Sequence, residues 1–220
     1  MIKYFSVYGE RCTGTNFLEQ AILENFEIEL VWHYHYKHFF GYYDFSKKNP
    51  IIENDNDVLF LGIVRDPVYW IDSFFKKKHH IPEENRINIQ SFLNNEFYSV
   101  NEENIEIMED RHIKTHQRYK NIFELRSIKN DYLIHGLKEK VKNYLLIRYE
   151  DLNNHFDNIM MFLEKKYNLK KKHDNWIRIN SYKGQKNKLF IQKTIQLRPH
   201  IIKKIRNSVN KEQEKSLGYL

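Results

Sequence analysis

The chain has 220 residues, 41% hydrophobic and 15% aromatic, which suits one domain with a full core and excludes a disordered chain or two comfortable domains. Its formal charge of +7 points to anionic ligands such as a nucleotide, a nucleic acid or an acidic glycan, although a lysine-rich, alanine-poor composition assigns most of that charge to solvated surface. The single cysteine, Cys12, excludes an internal disulfide framework and a cysteine-based zinc site. With no bilayer-length apolar run and an N-terminus that enters a strand directly, the expectation is no leader, no anchor and a reducing, cytoplasmic setting.

Alternation from Ile2 to Val7 predicts a short strand. A loop with two glycines follows, Gly9 and Gly14, and then Asn16 to Leu23 begin an amphipathic helix. Strand, glycine loop and helix start together form an anion site, because backbone N–H groups and the helix dipole point at the same place. The glycine spacing fits the P-loop pattern G-x-x-x-x-G-K-[ST], but Thr15 stands where the lysine belongs and Asn16 where the metal-binding hydroxyl belongs. A nucleotide triphosphatase needs both. The loop has instead a cation of its own, Arg11, and reads as a phosphate cradle for metal-independent chemistry. Cys12 lies inside it and reads as a small loop-filling residue, although a helix N-terminus and Arg11 are the surroundings that activate a thiol.

The run GERCTGTNFLE resembles the 5′-phosphosulfate loop of the sulfotransferases that use 3′-phosphoadenosine 5′-phosphosulfate (PAPS). In that family a basic residue precedes a small-residue turn and a helix. The resemblance implies that Arg11 replaces the family's lysine, that Thr13, Gly14 and Thr15 form the turn, and that Cys12 and Asn16 complete the donor loop.

Val31 to Tyr36 alternate and predict a second strand, emerging into a loop near Gly41. His33, His35 and His38 fall close together, but no carboxylate or cysteine completes a metal set at the usual spacing. The resemblance implies another role: cytosolic sulfotransferases carry a lysine-x-histidine here, and heparan-type members a glutamate just before His-Phe-Phe. Both patterns put His38 in the acceptor site, with His35 its rival and Tyr36 where the glutamate is expected. A neutral imidazole is a suitable base for a hydroxyl.

Residues 41–57 read as a polar excursion. Val58 to Val64 is a continuous apolar run, the signature of a strand buried on both faces of a parallel sheet. It ends in Arg65-Asp66-Pro67, where Asp66 can cap a helix and Pro67 suits its first turn. Arg65 therefore stands at the carboxyl end of a central strand, where open α/β sheets bind ligands. The segment VRDPVYWIDSFF resembles the family's 3′-phosphate site, an arginine before Asp/Asn-Pro with a serine eight residues on. Arg65 and Ser73 match it, the arginine offering two parallel hydrogen bonds and the serine one.

Lys76 to His80 read as a solvated helix end, with a basic rim for an anionic acceptor as the alternative. Ile87 to Phe97 reads as a helix, and the whole stretch 76–135 is expected to be the acceptor side. Tyr119 to Lys129 has helical spacing, with Arg126 and Lys129 read as exposed cations rather than groups reaching a cleft. Tyr144 to Arg148 is a third buried-type strand. It runs into Tyr149-Glu150-Asp151-Leu152, whose family counterpart implies that Tyr149 lies beside adenine. His155 to Tyr167 is an amphipathic helix. Lys183-Gly184 resembles the end of the family's Arg-Lys-Gly phosphate loop, with Tyr182 in place of the arginine. Pro199 to Leu220 reads as a closing helix.

The expected fold is α/β, a three-layer α/β/α arrangement with a central parallel sheet of the P-loop-like sulfotransferase kind, in one domain over 1–220. The implied activity is metal-independent sulfuryl transfer from PAPS to a hydroxyl or amine acceptor, a glycan or small molecule, releasing 3′,5′-adenosine bisphosphate (PAP). Arg11 and the loop amides would meet charge on the leaving phosphate, Arg65, Ser73, Lys183 and Gly184 the 3′-phosphate, and His38 or His35 the acceptor proton. The alternatives are a degenerate P-loop kinase using Mg-ATP, an inactive protein of the same fold, and a nucleic-acid binder, for which no recognition motif is present.

Overall fold

Four strands run parallel in the order β2-β1-β3-β4: β1 (Tyr4–Tyr8), β2 (Glu29–Leu30), β3 (Val58–Val64) and β4 (Tyr144–Arg148). The computed structural model describes residues 1–42, 48–181 and 194–220. All seven residues of β3 are buried, as its unbroken apolar run predicts for a central strand. Phe5, Val7, Leu59, Leu61 and Ile63 face one side, against helices α1 (Thr15–Asn25), α7 (Tyr149–Asn154) and α8 (Phe156–Tyr167). Tyr8, Val58, Phe60 and Val64 face the other, against Tyr34, Phe40, Leu133 and Leu137. Each fully buried aliphatic or phenylalanine side chain contributes about 1.5–3 kcal/mol, so the two faces of β3 anchor the fold.

A third apolar cluster joins α2 (Pro67–Lys77) to α4 (Ile89–Asn94), α5 (Ile122–Asp131) and α9 (Pro199–Ser208). Between α2 and α4 lies the single turn α3 (Glu83–Arg86). A π-helical turn (Tyr132–Gly136) continues α5 into α6 (Leu137–Lys140), and α10 (Lys211–Ser216) ends the order.

Three expectations change. The predicted second strand over 31–36 is instead the two-residue β2 just before it. Val31 N–H makes one more bond, to Phe5 O at 2.9 Å, and Tyr34 at φ +73° then turns the chain away. The predicted helix 87–97 is only Ile89–Asn94, because Asn88 Oδ1 accepts from Gln90 and Ser91 N–H and starts a new helix there. Likewise Asn210 caps α10, dividing the closing helix in two.

The strand register fixes where the loops meet. Tyr8 pairs with Gly62 and Val64 with Arg148. The residues just beyond three neighbouring strands, Gly9, Arg65 and Tyr149, therefore arrive at one edge of the sheet. β1 continues toward β2 on one side and adjoins β3 on the other, which makes this edge the switch point where open α/β sheets form a crevice.

Candidate functional site

The loop from Gly9 to Gly14 is folded by its own side chains. Thr13 N–H and Oγ1 both donate to Glu10 O, at 3.1 and 2.6 Å, closing a tight turn. Cys12 takes φ +66° and Gly14 φ +108°, and α1 starts on Gly14 without a side-chain cap or an acid in its first turn. The positive end of the helix dipole thus faces the loop. Both glycines are also required by packing. A Cβ at Gly9 would lie 2.6 Å from Ile63 O, and one at Gly14 2.5 Å from the Tyr149 ring. Exposure alternates: Cys12, Gly14 and Asn16 are half-buried, whereas Arg11, Thr13 and Thr15 point inward.

That alternation corrects the reading of Arg11 as the loop's ligand cation. Its guanidinium is only 1% exposed and turned to the protein interior. Nε donates to Glu10 at 2.6 Å, Nη2 to Asp110 at 2.9 Å, and Nη1 to Ser99 Oγ at 2.6 Å and His80 O at 3.2 Å. Lys129, read from sequence as exposed, completes the cluster by bonding Glu10 at 2.7 Å, His38 O at 2.7 Å and Asp110. The result is a neutral buried quartet of two cations and two carboxylates. Burial alone would raise the Glu10 carboxyl, but the charges of Arg11 and Lys129 overcome it and hold the group down at about 2.

Arg126, also read as exposed, is buried. It bonds Glu214 of α10 at 2.5 and 2.8 Å and donates to Arg65 O at 2.9 Å. Asp66 caps α2 by accepting from Val68 and Tyr69 N–H, and pairs with Arg206 at 2.6 Å. Its own N–H donates to Glu150 at 3.0 Å. The Arg65-Asp66 turn is thus held from α5, α7 and α9.

Arg65 itself reaches across to the loop. Nη1 donates to Cys12 O at 3.1 Å, and the guanidinium carbon sits 4.4 Å from the Tyr149 ring centre, while Nε is buried with no hydrogen-bond partner among the described residues. Burial pushes the Cys12 thiol up, opposed by Lys77, a hydrogen bond with Ser73, Arg11 and Arg65. The raised pKa makes a poor nucleophile of Cys12, in keeping with a loop-filling role. Arg65, Ser73 and Lys77 therefore gather with Tyr149 around the outer side of the loop.

The segment after β2 closes the other side. Gly9 N–H donates to Lys37 O at 3.1 Å, and the Lys37 ammonium bonds Asn16 Oδ1 at 2.7 Å and Glu19 at 2.8 Å. Lys37 was not singled out from sequence; it is the buried cation at the start of α1. His38 Nδ1 donates to Gly9 O at 2.7 Å, which leaves Nε2 as the acceptor nitrogen. Burial lowers the His38 pKa to about 3, opposed first by the nearby Glu10 carboxylate, so the ring is neutral at physiological pH. His35 is half-buried on the same segment. His33 is structural, bonded to Asp55 at 3.0 Å. Among the described residues no group of three or more His, Cys, Asp or Glu could hold a metal ion, and no helix is long and apolar enough to cross a membrane.

Tyr182, Lys183 and Gly184 lie outside the described residues. The structure therefore brings Cys12, Gly14, Asn16, Arg65, Ser73, Tyr149 and His38 to one edge, adds Lys37 and removes Arg11 from the surface. No protein-family model matches the chain, and no curated protein matches it.

Proposed function

We propose that the chain is a PAPS-dependent sulfotransferase on a P-loop-like sulfotransferase fold. The observation that carries this reading is the meeting of two segments 53 residues apart, with Arg65 on the Cys12 carbonyl at 3.1 Å. Each segment alone is a common strand–turn–helix connection. Together they offer a helix N-terminus and loop amides for one phosphate and, beside it, an arginine and a serine for a second.

In this reading residues 12–16 hold the 5′-phosphosulfate end, and the loop amides with the N-terminus of α1 meet charge developing on the leaving phosphate, while Lys37, paired to Glu19, fixes Asn16. Arg11 supports the loop from behind and takes no part as a ligand. Arg65 and Ser73 grip the 3′-phosphate, assisted by Lys183 and Gly184, and Tyr149 flanks the adenine. The donor supplies an activated sulfuryl group, so the chain's own work is positioning and electrostatic stabilisation. His38 takes the acceptor's proton at Nε2. Burial disfavours the imidazolium so formed, the Glu10 carboxylate offsets part of that cost, and Gly9 O fixes the ring orientation.

Calorimetry with 3′,5′-adenosine bisphosphate, AMP and Mg-ATP tests the reading. The bisphosphate is expected to bind without metal and about 100-fold more tightly than AMP, the worth of a charge-assisted phosphate grip. Preference for Mg-ATP would overturn the reading in favour of a kinase. Failure to bind any of the three would leave an inactive protein of this fold.

A further inference from the structure

The chain leaves α2 through Lys78 at φ +50° and then, two residues on, places His80 at φ +55°. A left-handed residue at a helix C-terminus is ordinary, and Lys78 serves as that cap. His80 is held there by Val100, whose N–H donates to His80 O at 3.3 Å and whose carbonyl accepts from His80 Nδ1 at 2.8 Å, and a third left-handed residue, Asn104, lines the same pocket of about 310 Å³. Left-handed non-glycine residues concentrate where a fold is shaped for use.

This pocket adjoins both halves of the site described above. Lys77, in its wall, acts on the Cys12 thiol. His80 O accepts from Arg11, and the His80 ring lies edge-on to Phe39, 6.1 Å away, next to His38.

Its walls favour negative charge. Lys77, Lys78 and Arg86 line it against Glu83 and Glu102, together with the His79 and His80 rings, 3.9 Å apart and tilted by 49°. Burial is the first cause of a lowered His79 pKa, and His80, Arg11 and Lys77 lower it further while Glu102 opposes them. Positive charge around that ring disfavours its protonation and favours an anion beside it.

We infer that this pocket is the acceptor subsite for an anionic group, so that the acceptor carries a carboxylate, phosphate or sulfate next to the hydroxyl or amine that is modified. The inference rests on the sulfotransferase reading for the word acceptor, but the anion site stands or falls by itself. Lys78 and Arg86 grip the anion from the rim, and His79 and His80 contact it from within. Lys77 bridges the two subsites.

The test is the imidazole NMR spectrum of the full chain titrated with inorganic sulfate, with and without saturating 3′,5′-adenosine bisphosphate to fill the donor loop. The expected result is a saturable shift of His79 in both cases, with an upward move of its pKa. In Lys78→Gln/Arg86→Gln the sulfate affinity should fall about tenfold or more while bisphosphate affinity stays unchanged. A His79 resonance indifferent to sulfate, or one that responds equally in the variant, would overturn the anion subsite. If sulfate binds at His79 but the bisphosphate binds nowhere, the anion site holds and the sulfotransferase reading fails. If the bisphosphate binds and sulfate does not reach His79, the reverse follows.

Discussion

Arg11 and Arg65 stand on opposite sides of one loop and do different things. Arg11 is fully buried, bonded to two carboxylates, a hydroxyl and a carbonyl. Arg65 is half-buried, bonded to one loop carbonyl, and set over the Tyr149 ring with its Nε without a partner among the described residues. Both are the same residue type in motif-like positions. What separates them is the number of acids each can reach: Glu10 and Asp110 neutralise Arg11, whereas Arg65 has a tyrosine face and a peptide oxygen. A cation already neutralised by the fold supports a loop. One that retains donor capacity at a crevice is available to a ligand.

The largest effect expected from this contrast is on stability. Arg11→Met leaves Glu10 and Asp110 buried with Lys129 alone, and should cost about 3–5 kcal/mol in urea unfolding. Arg65→Ala should cost about 1 kcal/mol in the same experiment, yet lower 3′,5′-adenosine bisphosphate affinity by about 100-fold in calorimetry. Equal stability losses would erase the distinction between the two arginines.

The loop itself gives a smaller effect. Gly14→Ala places a methyl group against the Tyr149 ring at a φ of +108°, and should destabilise the chain by about 1–3 kcal/mol, read from the urea midpoint. Because Tyr149 carries Arg65 on its face, the same substitution should weaken bisphosphate binding more than a Gly41→Ala control, whose strain is at Ile113.

The pH dependence sharpens the comparison further. Glu10 is held down from 4.5 to about 2, so its contribution is complete above pH 4.5 and is lost as pH falls through about 2. His38 is lowered from 6.5 to about 3, so the folded chain disfavours its protonation and stability falls as pH drops from 6.5 toward 3. His33 and His79, both lowered by burial, act in the same direction. Urea unfolding across pH 7 to 4.5 should therefore show a declining stability, and His38→Gln should flatten part of that decline while leaving the Glu10 limb below pH 4.5 intact.

The sheet was legible because its signals are local. β3 shows its burial in seven consecutive apolar residues, and Asp66-Pro67 announces the helix that follows. The parallel register then follows from crossovers, and with it the convergence of Gly9, Arg65 and Tyr149. The charged interior was not legible. Arg126 and Lys129 fall on a helix with ordinary exposed-cation spacing, and their counterions lie far off in sequence, Glu214 at 88 residues and Glu10 at 119. Burial of a charge is decided by its partners, and local pattern does not show them. The one local hint at Arg11 was Glu10 beside it. Lys37 was hidden for a similar reason, since its role depends on Asn16 and Glu19 being folded against it.

The most direct test of the account is a crystal structure of the chain with 3′,5′-adenosine bisphosphate bound. The account predicts the 5′-phosphate over residues 12–16 and the 3′-phosphate on Arg65 and Ser73, with Arg11 still paired to Glu10 and Asp110. A nucleotide bound away from Arg65, or one that draws Arg11 out of its buried cluster, would contradict it.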